Sequence, residues 1–132
     1  MSALFSSGRE GFLDGSINWI ADEVRVMLMK DSYTFDATDR FVSELSAMGN
    51  GRSWALAGKS AANGVADADP VSLVVLTAEA CNGLVIYKHN ASDSEARLIC
   101  YIDSAGGLPC VPALGQTMEI VWDAGPDRIF RL

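Results

Sequence analysis

A mainly β (α+β) domain is predicted, a compact antiparallel β-sandwich or small barrel with one or two short helices in its N-terminal third. Three observations predict it. Short apolar-rich runs recur at regular spacing beyond position 52, the pattern of all-β sandwiches and barrels. Asn50-Gly51, Asn63-Gly64 and Asn82-Gly83 offer the positive φ angles that tight hairpin turns demand. Residues 117–123 alternate, with Met118, Ile120 and Trp122 on one face and Thr117, Glu119, Val121 and Asp123 on the other, the period of a half-buried strand. With 132 residues the chain has the length of one domain with a real core.

Residues 1–20 are expected to be an N-terminal arm or a short helix. A helix over 4–13 places Phe5, Arg9 and Phe12 on one side, against a cost of about 1 kcal/mol for each of Gly8 and Gly11. After a turn at Asp14-Gly15-Ser16, residues 23–29 read as a strand with Val24, Val26 and Leu28 facing inward. A second helix is predicted over 38–48, where Phe41, Leu45 and Met48 recur at helical intervals, Asp36 or Thr38 caps the start and Gly49-Asn50-Gly51 ends it. Strands are then expected at 52–57, 59–66, 71–77, 84–89, 95–103, 117–123 and 128–132.

The aromatic residues divide by context. Trp54 and Trp122 lie in alternating strands and are assigned to the core. Phe5, Phe12 and Trp19 lie in less regular surroundings, where a neighbouring subunit is the alternative cover to the chain's own core. Core is preferred for them, and Phe5, Arg9, Phe12 and Trp19 are the candidate interface residues.

Charge excludes some function classes. Seventeen acidic side chains against ten basic ones give a net charge of −7, and the basic residues are scattered from Arg9 to Arg131. Nucleic acid is therefore not an expected partner, since neutralising phosphates needs clustered Lys and Arg. No run approaches the ~20 apolar residues of a membrane span, and no basic leader with an apolar stretch opens the sequence, so no membrane partner and folding in a cytosol are expected. Cys81, Cys100 and Cys110 show neither disulfide-framework nor zinc spacing and read as buried small hydrophobes. Cys100 is placed on one strand face with Ala96, Leu98 and Ile102.

Motifs for chemistry fail on inspection. Gly58-Lys59-Ser60 has the ending of a phosphate-binding loop, but position 53 is Ser where that motif needs Gly, and the following residues are small and turn-forming, so a hairpin is expected. Asp67 and Asp69 offer oxygens to a hard cation such as Ca²⁺, yet no EF-hand pattern follows, and a solvated loop is preferred. His89, the one histidine, sits at a strand end without a nucleophile signature and reads as exposed. Asp36 with Asp39, and Asp123 with Asp127, stand where Asp serves turns and caps. No enzyme activity, cofactor or metal is expected.

The segments GREGFLDGSINWIADEVRVMLM, GVADADPVSL, LVIYKHNASDSEARLICYID and VWDAGPDRIFRL together resemble a family of small proteins encoded among the structural genes of tailed bacteriophages. The resemblance spans most of the chain and implies a virion component present in many copies. Its favoured role is a head decoration or cement protein, made in the host cytoplasm and bound to the major capsid protein on the capsid surface, with self-association on the particle. A tail or head-to-tail connector, or a small carbohydrate-binding module on the virion surface, are the alternatives. Deleting residues 1–13 is expected to weaken attachment more than folding.

Overall fold

The strand-forming runs seen in the sequence assemble into three antiparallel sheets among the described residues. The computed structural model describes residues 2–103, 105 and 108–132; Met1 of the expected arm lies outside them. In chain order the strands are β1 (Ser2–Leu4), β2 (Val24–Lys30), β3 (Gly49–Arg52), β4 (Ser60–Ala62), β5 (Val65–Asp67), β6 (Val71–Val74), β7 (Cys81–Lys88), β8 (Arg97–Ile102), β9 (Thr117–Ile120) and β10 (Phe130–Arg131). One α-helix, α1 (Ser6–Asp14), and two 3-10 turns, Val42–Glu44 and Ser46–Met48, complete the elements. The main sheet has the order β1-β8-β7-β2-β3; the others are β10-β5-β4 and β6-β9. The mainly β expectation holds, and the sheets do not close into a barrel.

The central strands β2, β7 and β8 are apolar on both faces, so each face needs a cover. On one face, Val24, Val26, Leu28, Leu84, Ile86 and Cys100 pack with residues of the small sheets, among them Leu73, Ile120 and Phe130. On the other, Met27, Met29, Val85, Tyr87 and Leu98 pack with Phe5, Tyr33, Val42 and Leu45. Phe35 stacks on Tyr101 at 5.4 Å and meets Phe5 edge-on at 5.0 Å, the offset and T-shaped geometries that ring quadrupoles favour. The expected strand at 23–29 forms with Val24, Val26 and Leu28 inward, but its other face is buried too.

The sequence-predicted helix over 38–48 is replaced by the two 3-10 turns, because residues 40–42 serve the open edge of β8. Leu98 N–H donates to Arg40 O and Val42 N–H to Ala96 O, both at 2.9 Å, around a bridge between Phe41 and Arg97. An extended backbone there satisfies an edge that would otherwise be bare. The caps serve other ends: Asp36 accepts from Thr38 N–H and hydroxyl, while Glu44 accepts from Arg40 and Phe41 N–H.

A β-bulge overturns the expected neighbours of Cys100. Ile86 pairs with Cys100 but Tyr87 pairs with Leu98, so Ile99 is the extra residue. A one-residue insertion flips the faces on either side of it. Cys100 and Ile102 therefore face one core while Ala96 and Leu98 face the other.

Of the three Asn-Gly pairs, only Asn63-Gly64 is a hairpin turn, with φ of 56° and 75° linking β4 to β5; the run expected as one strand over 59–66 is thus a hairpin. Asn50-Gly51 lies within β3, where Gly51 has φ of 124° and a Cβ would come within 2.4 Å of Val74 O. Asn82-Gly83 lies within β7, where the Tyr101 ring occupies the space a Cβ at position 83 would need. Close approach, not a turn, explains these two glycines. The run 52–57 keeps its ladder only at Arg52, with a single bridge from Ser53 to Leu73.

The N-terminal segment is held along β8. Ser2 to Leu4 pair with Ile102 to Cys100, Phe5 N–H donates to Ile99 O at 3.0 Å and Ser7 Oγ to Leu98 O at 2.9 Å. Helix α1 starts two residues later than expected because Leu4 belongs to the strand. Gly8 lets the helix touch β8: a Cβ there would stand 2.5 Å from Ile99 O.

The Gly8→Ala variant is therefore predicted to lose about 1–3 kcal/mol of stability to overpacking in a urea melt, although helix propensity alone would add about 1 kcal/mol. A stabilised variant would mean that α1 does not rest on β8. Deleting residues 1–13 removes the buried Leu4 and Phe5 together with β1, and the expected result is loss of the cooperative thermal transition, contrary to the expectation from sequence.

Candidate interaction surface

A single bridge links the end of β3 to the two-stranded sheet β6-β9. Ser53 bridges to Leu73 of β6, and β6 pairs with β9 through Val71–Ile120, Ser72–Glu119, Leu73–Met118 and Val74–Thr117. Val71, Leu73, Met118, Ile120 and Trp122 are buried on the inner side, as the alternation over 117–123 predicts. Val74, Thr117, Glu119 and Val121 are exposed on the outer side. The cluster of Phe5, Tyr33, Val42 and Leu45 that covers the other face of the central strands includes no residue of β6 or β9.

Trp54, which follows the bridged Ser53 in the chain, is 63% exposed, which corrects its assignment to the core. The cause is its neighbour. Ser53 Oγ accepts the Val26 N–H at 2.9 Å and donates to Trp54 O at 2.7 Å, so Ser53 points inward, 3% exposed. Trp54, the next residue and already beyond the strand, turns its side chain the other way, to solvent. Sequence alternation assigned Trp54 to the core; the Ser53 hydroxyl bond places Ser53 inward instead.

Further apolar side chains are exposed. Leu76, Val111 and Leu114 are each exposed by more than half. The 110–116 loop is tied alongside β6 by Val75 N–H donating to Gln116 O at 2.8 Å and Gly115 N–H to Val75 O at 3.0 Å. A depression of about 300 Å³ between Val111, Pro112, Gln116, Met118 and Glu119 lies on the same side as this loop. Trp54, Val74, Leu76, Val111, Leu114 and Val121 are exposed apolar side chains carried by β6, by the residues that follow β6 and β9, and by the segments bonded to them; where such side chains join, the surface favours a partner.

Arg52 stands two residues before Trp54. Its guanidinium grips Asp93 with two bonds of 2.8 and 2.7 Å and lies 5.7 Å from the centre of the Tyr87 ring. The Arg52 hydrogen bonds hold the Asp93 carboxyl below the usual carboxylate range, against partial desolvation. Asn50, fully buried, anchors the turn beyond β6: its amide donates to Thr77 O at 3.1 Å and its oxygen accepts from Thr77 N–H at 2.8 Å.

The candidate interface residues from sequence are not brought together. Phe5 (0%) and Trp19 (5%) are buried in the chain's own two cores. Phe12 is half-buried, 5.6 Å from the Phe130 ring, and Arg9 is exposed on α1. The core preference holds for Phe5 and Trp19, which removes both from any surface available to a partner, and in part for Phe12, which is half-buried against the core.

The groups weighed for chemistry hold structure. The Asp67 and Asp69 carbonyls accept the indole N–H of Trp19 at 3.4 Å and of Trp122 at 3.1 Å, and the Asp69 carboxyl lies against Gly58. Among the described residues no three His, Cys, Asp or Glu side chains gather as metal ligands. His89 Nε2 is 3.7 Å from Glu23 Oε2, beyond hydrogen-bond range. Asp36 and Asp123 bond the backbone N–H two residues on, as turn residues do. No helix among the described residues is long and apolar enough to cross a membrane.

Two predictions test this surface. Acrylamide should quench one tryptophan strongly and two weakly, and Trp54→Phe should remove the strongly quenched component with the melt unchanged. The Asp93→Asn variant should lose roughly 1 kcal/mol at neutral pH, as an exposed bidentate pair allows. Because the folded-state carboxyl titrates below its unfolded value, this contribution is present above the usual carboxylate range and fades as pH falls through it; equal losses at pH 7 and pH 3 would refute the pairing. Compared with models of known protein families, with curated proteins and with solved structures, the chain matches none.

Proposed function

We propose that this protein is a structural component of a tailed-bacteriophage particle, a head decoration or cement protein that sits on the outer capsid and fastens neighbouring major capsid subunits. The observation that carries the reading is the exposed apolar side chain of Trp54 with those near β6, a surface without assembled catalytic groups. The resemblance of four sequence segments to small virion proteins supports the same reading, as does the acidic charge, which keeps free copies apart until they bind.

Burying a tryptophan of roughly 200 Å² at ~25 cal/mol per Å² yields about 5 kcal/mol. The part of Trp54 already covered leaves about 3 kcal/mol before the costs of association. One such contact is weak alone. Repeated by lattice symmetry, and joined by contacts between copies, it stabilises a shell against internal pressure. Trp54 is placed as the anchor, with Val74, Val121 and Leu76 excluding water around it.

An exposed indole also suits stacking on a sugar ring, and this favours a carbohydrate-binding module as the second reading. Titration with glycans, read by Trp54 fluorescence, separates the two: saturable quenching that Trp54→Ala abolishes supports the module.

The experiment for the first reading is the copy number of this chain relative to the major capsid subunit in purified particles, by quantitative mass spectrometry. A ratio near the lattice count is expected. A much smaller ratio indicates a tail or connector, and absence overturns the virion reading. In add-back to undecorated particles, Trp54→Ala should raise the half-saturating concentration roughly 10- to 100-fold.

A further inference from the structure

We propose that Cys81 and Cys110 are a disulfide-forming pair that a peroxide oxidises to an intramolecular disulfide, fastening the 110–116 loop to β7. Cys81 opens β7, and Cys110 stands opposite it as an isolated antiparallel bridge. Each N–H donates to the other's carbonyl at 2.8 Å. A reciprocally bonded antiparallel pair places its Cα atoms about 5.5 Å apart with side chains on one face, within the span of roughly 4.4–6.8 Å that a disulfide bridges. All three cysteines are free thiols.

The pair is reachable from solvent. Cys81 and Cys110 line one open depression of about 430 Å³ together with Asp31, Ala80, Asn82, Pro109 and Val111. Cys110 is half-buried and Cys81 buried, so Cys110 is the first to meet an oxidant. The Cys81 sulfur accepts from the Asn50 amide at 3.2 Å and its S–H donates to Glu79 O at 3.4 Å. The first bond survives oxidation; the second is lost with the proton. Burial raises the Cys81 thiol above its ordinary range, with the Cys110, Asp31 and Glu79 charges adding and the Asn50 bond opposing, and burial raises Cys110. Both thiols are protonated at neutral pH, which makes the pair slow to react. Cys100 is fully buried between Leu4 and Ile86 and takes no part.

The chemistry balances with hydrogen peroxide as oxidant. The Cys110 sulfur attacks one peroxide oxygen, the O–O bond breaks, and a sulfenic acid forms as water leaves. The Cys81 sulfur then attacks the sulfenic sulfur, the S–S bond forms, the S–O bond breaks and a second water leaves. Two thiols and one peroxide give one disulfide and two waters. The bond would close a loop of roughly 30 residues and restrain the segment that presents Val111 and Leu114. It does not depend on the virion reading.

The test treats the reduced full-length chain with a small excess of hydrogen peroxide at mildly alkaline pH, then alkylates it after denaturation. One alkyl group should be taken up in place of three, peptide mapping should link Cys81 to Cys110, and the melt should rise on the order of 10 °C, reversed by dithiothreitol. Sulfinic acid at Cys110 with Cys81 still free, or a disulfide-linked dimer, would overturn the proposal. Cys110→Ser, at the half-exposed position, should melt like the reduced protein and form no internal link; a link persisting there would equally overturn it.

Discussion

Three adjacent strands that are apolar on both faces set the terms for the rest of this molecule. β2, β7 and β8 leave no face for water, so a single layer cannot stabilise them. The chain meets the demand asymmetrically. On one side the small sheets β6-β9 and β10-β5-β4 supply a second layer in the manner of a sandwich. On the other, irregular segments do the same work, with Tyr33, Phe35, Val42 and Leu45 laid across the sheet. The bulge at Ile99 lets both demands be met along β8, since it sends Leu98 to one core and Cys100 to the other.

The same demand explains the sheet edges. β8 is closed by β1, by α1 through Ser7 and by residues 40–42. β3 is closed by the bridge to β6, and register shifts between β2 and its neighbours mark bulges, which strengthen twist and bend a strand. The irregular cover reaches the central strands but stops before β6 and β9. Arg52, two residues before the exposed Trp54, is clamped by Asp93 over Tyr87 of the second core.

This arrangement places the chain's unusual chemistry on a surface instead of in a cleft. Asp36, Glu44 and Asp123 serve backbone turns and Asp93 and Glu79 ion pairs, while exposed apolar area lies beside them on the surface. The exposed apolar side chains near β6 rest on a rigid support. Here it comes from the buried strands and from the Asn50 side chain, which holds Thr77 and the Cys81 sulfur together behind β6.

Much of the fold was legible because burial patterns are local. The run 117–123 alternates with the period of its strand, and Val24, Val26 and Leu28 share a face for the same reason. What the sequence by itself determined was the β class, the positions of most strands and the core status of Phe5, Trp19 and Trp122. Only the tertiary structure decided which face each residue takes where a bulge or a single hydroxyl intervenes. The helical spacing over 38–48 lost to the hydrogen-bond demand of the β8 edge, and two Asn-Gly pairs lie within strands because a neighbouring carbonyl or ring needs the missing Cβ. Trp54 points outward because Ser53 bonds inward to Val26, a contact 27 positions away. Such long-range partners leave no periodic trace in the sequence, and this is why the surface escaped a reading of the sequence that recovered the core.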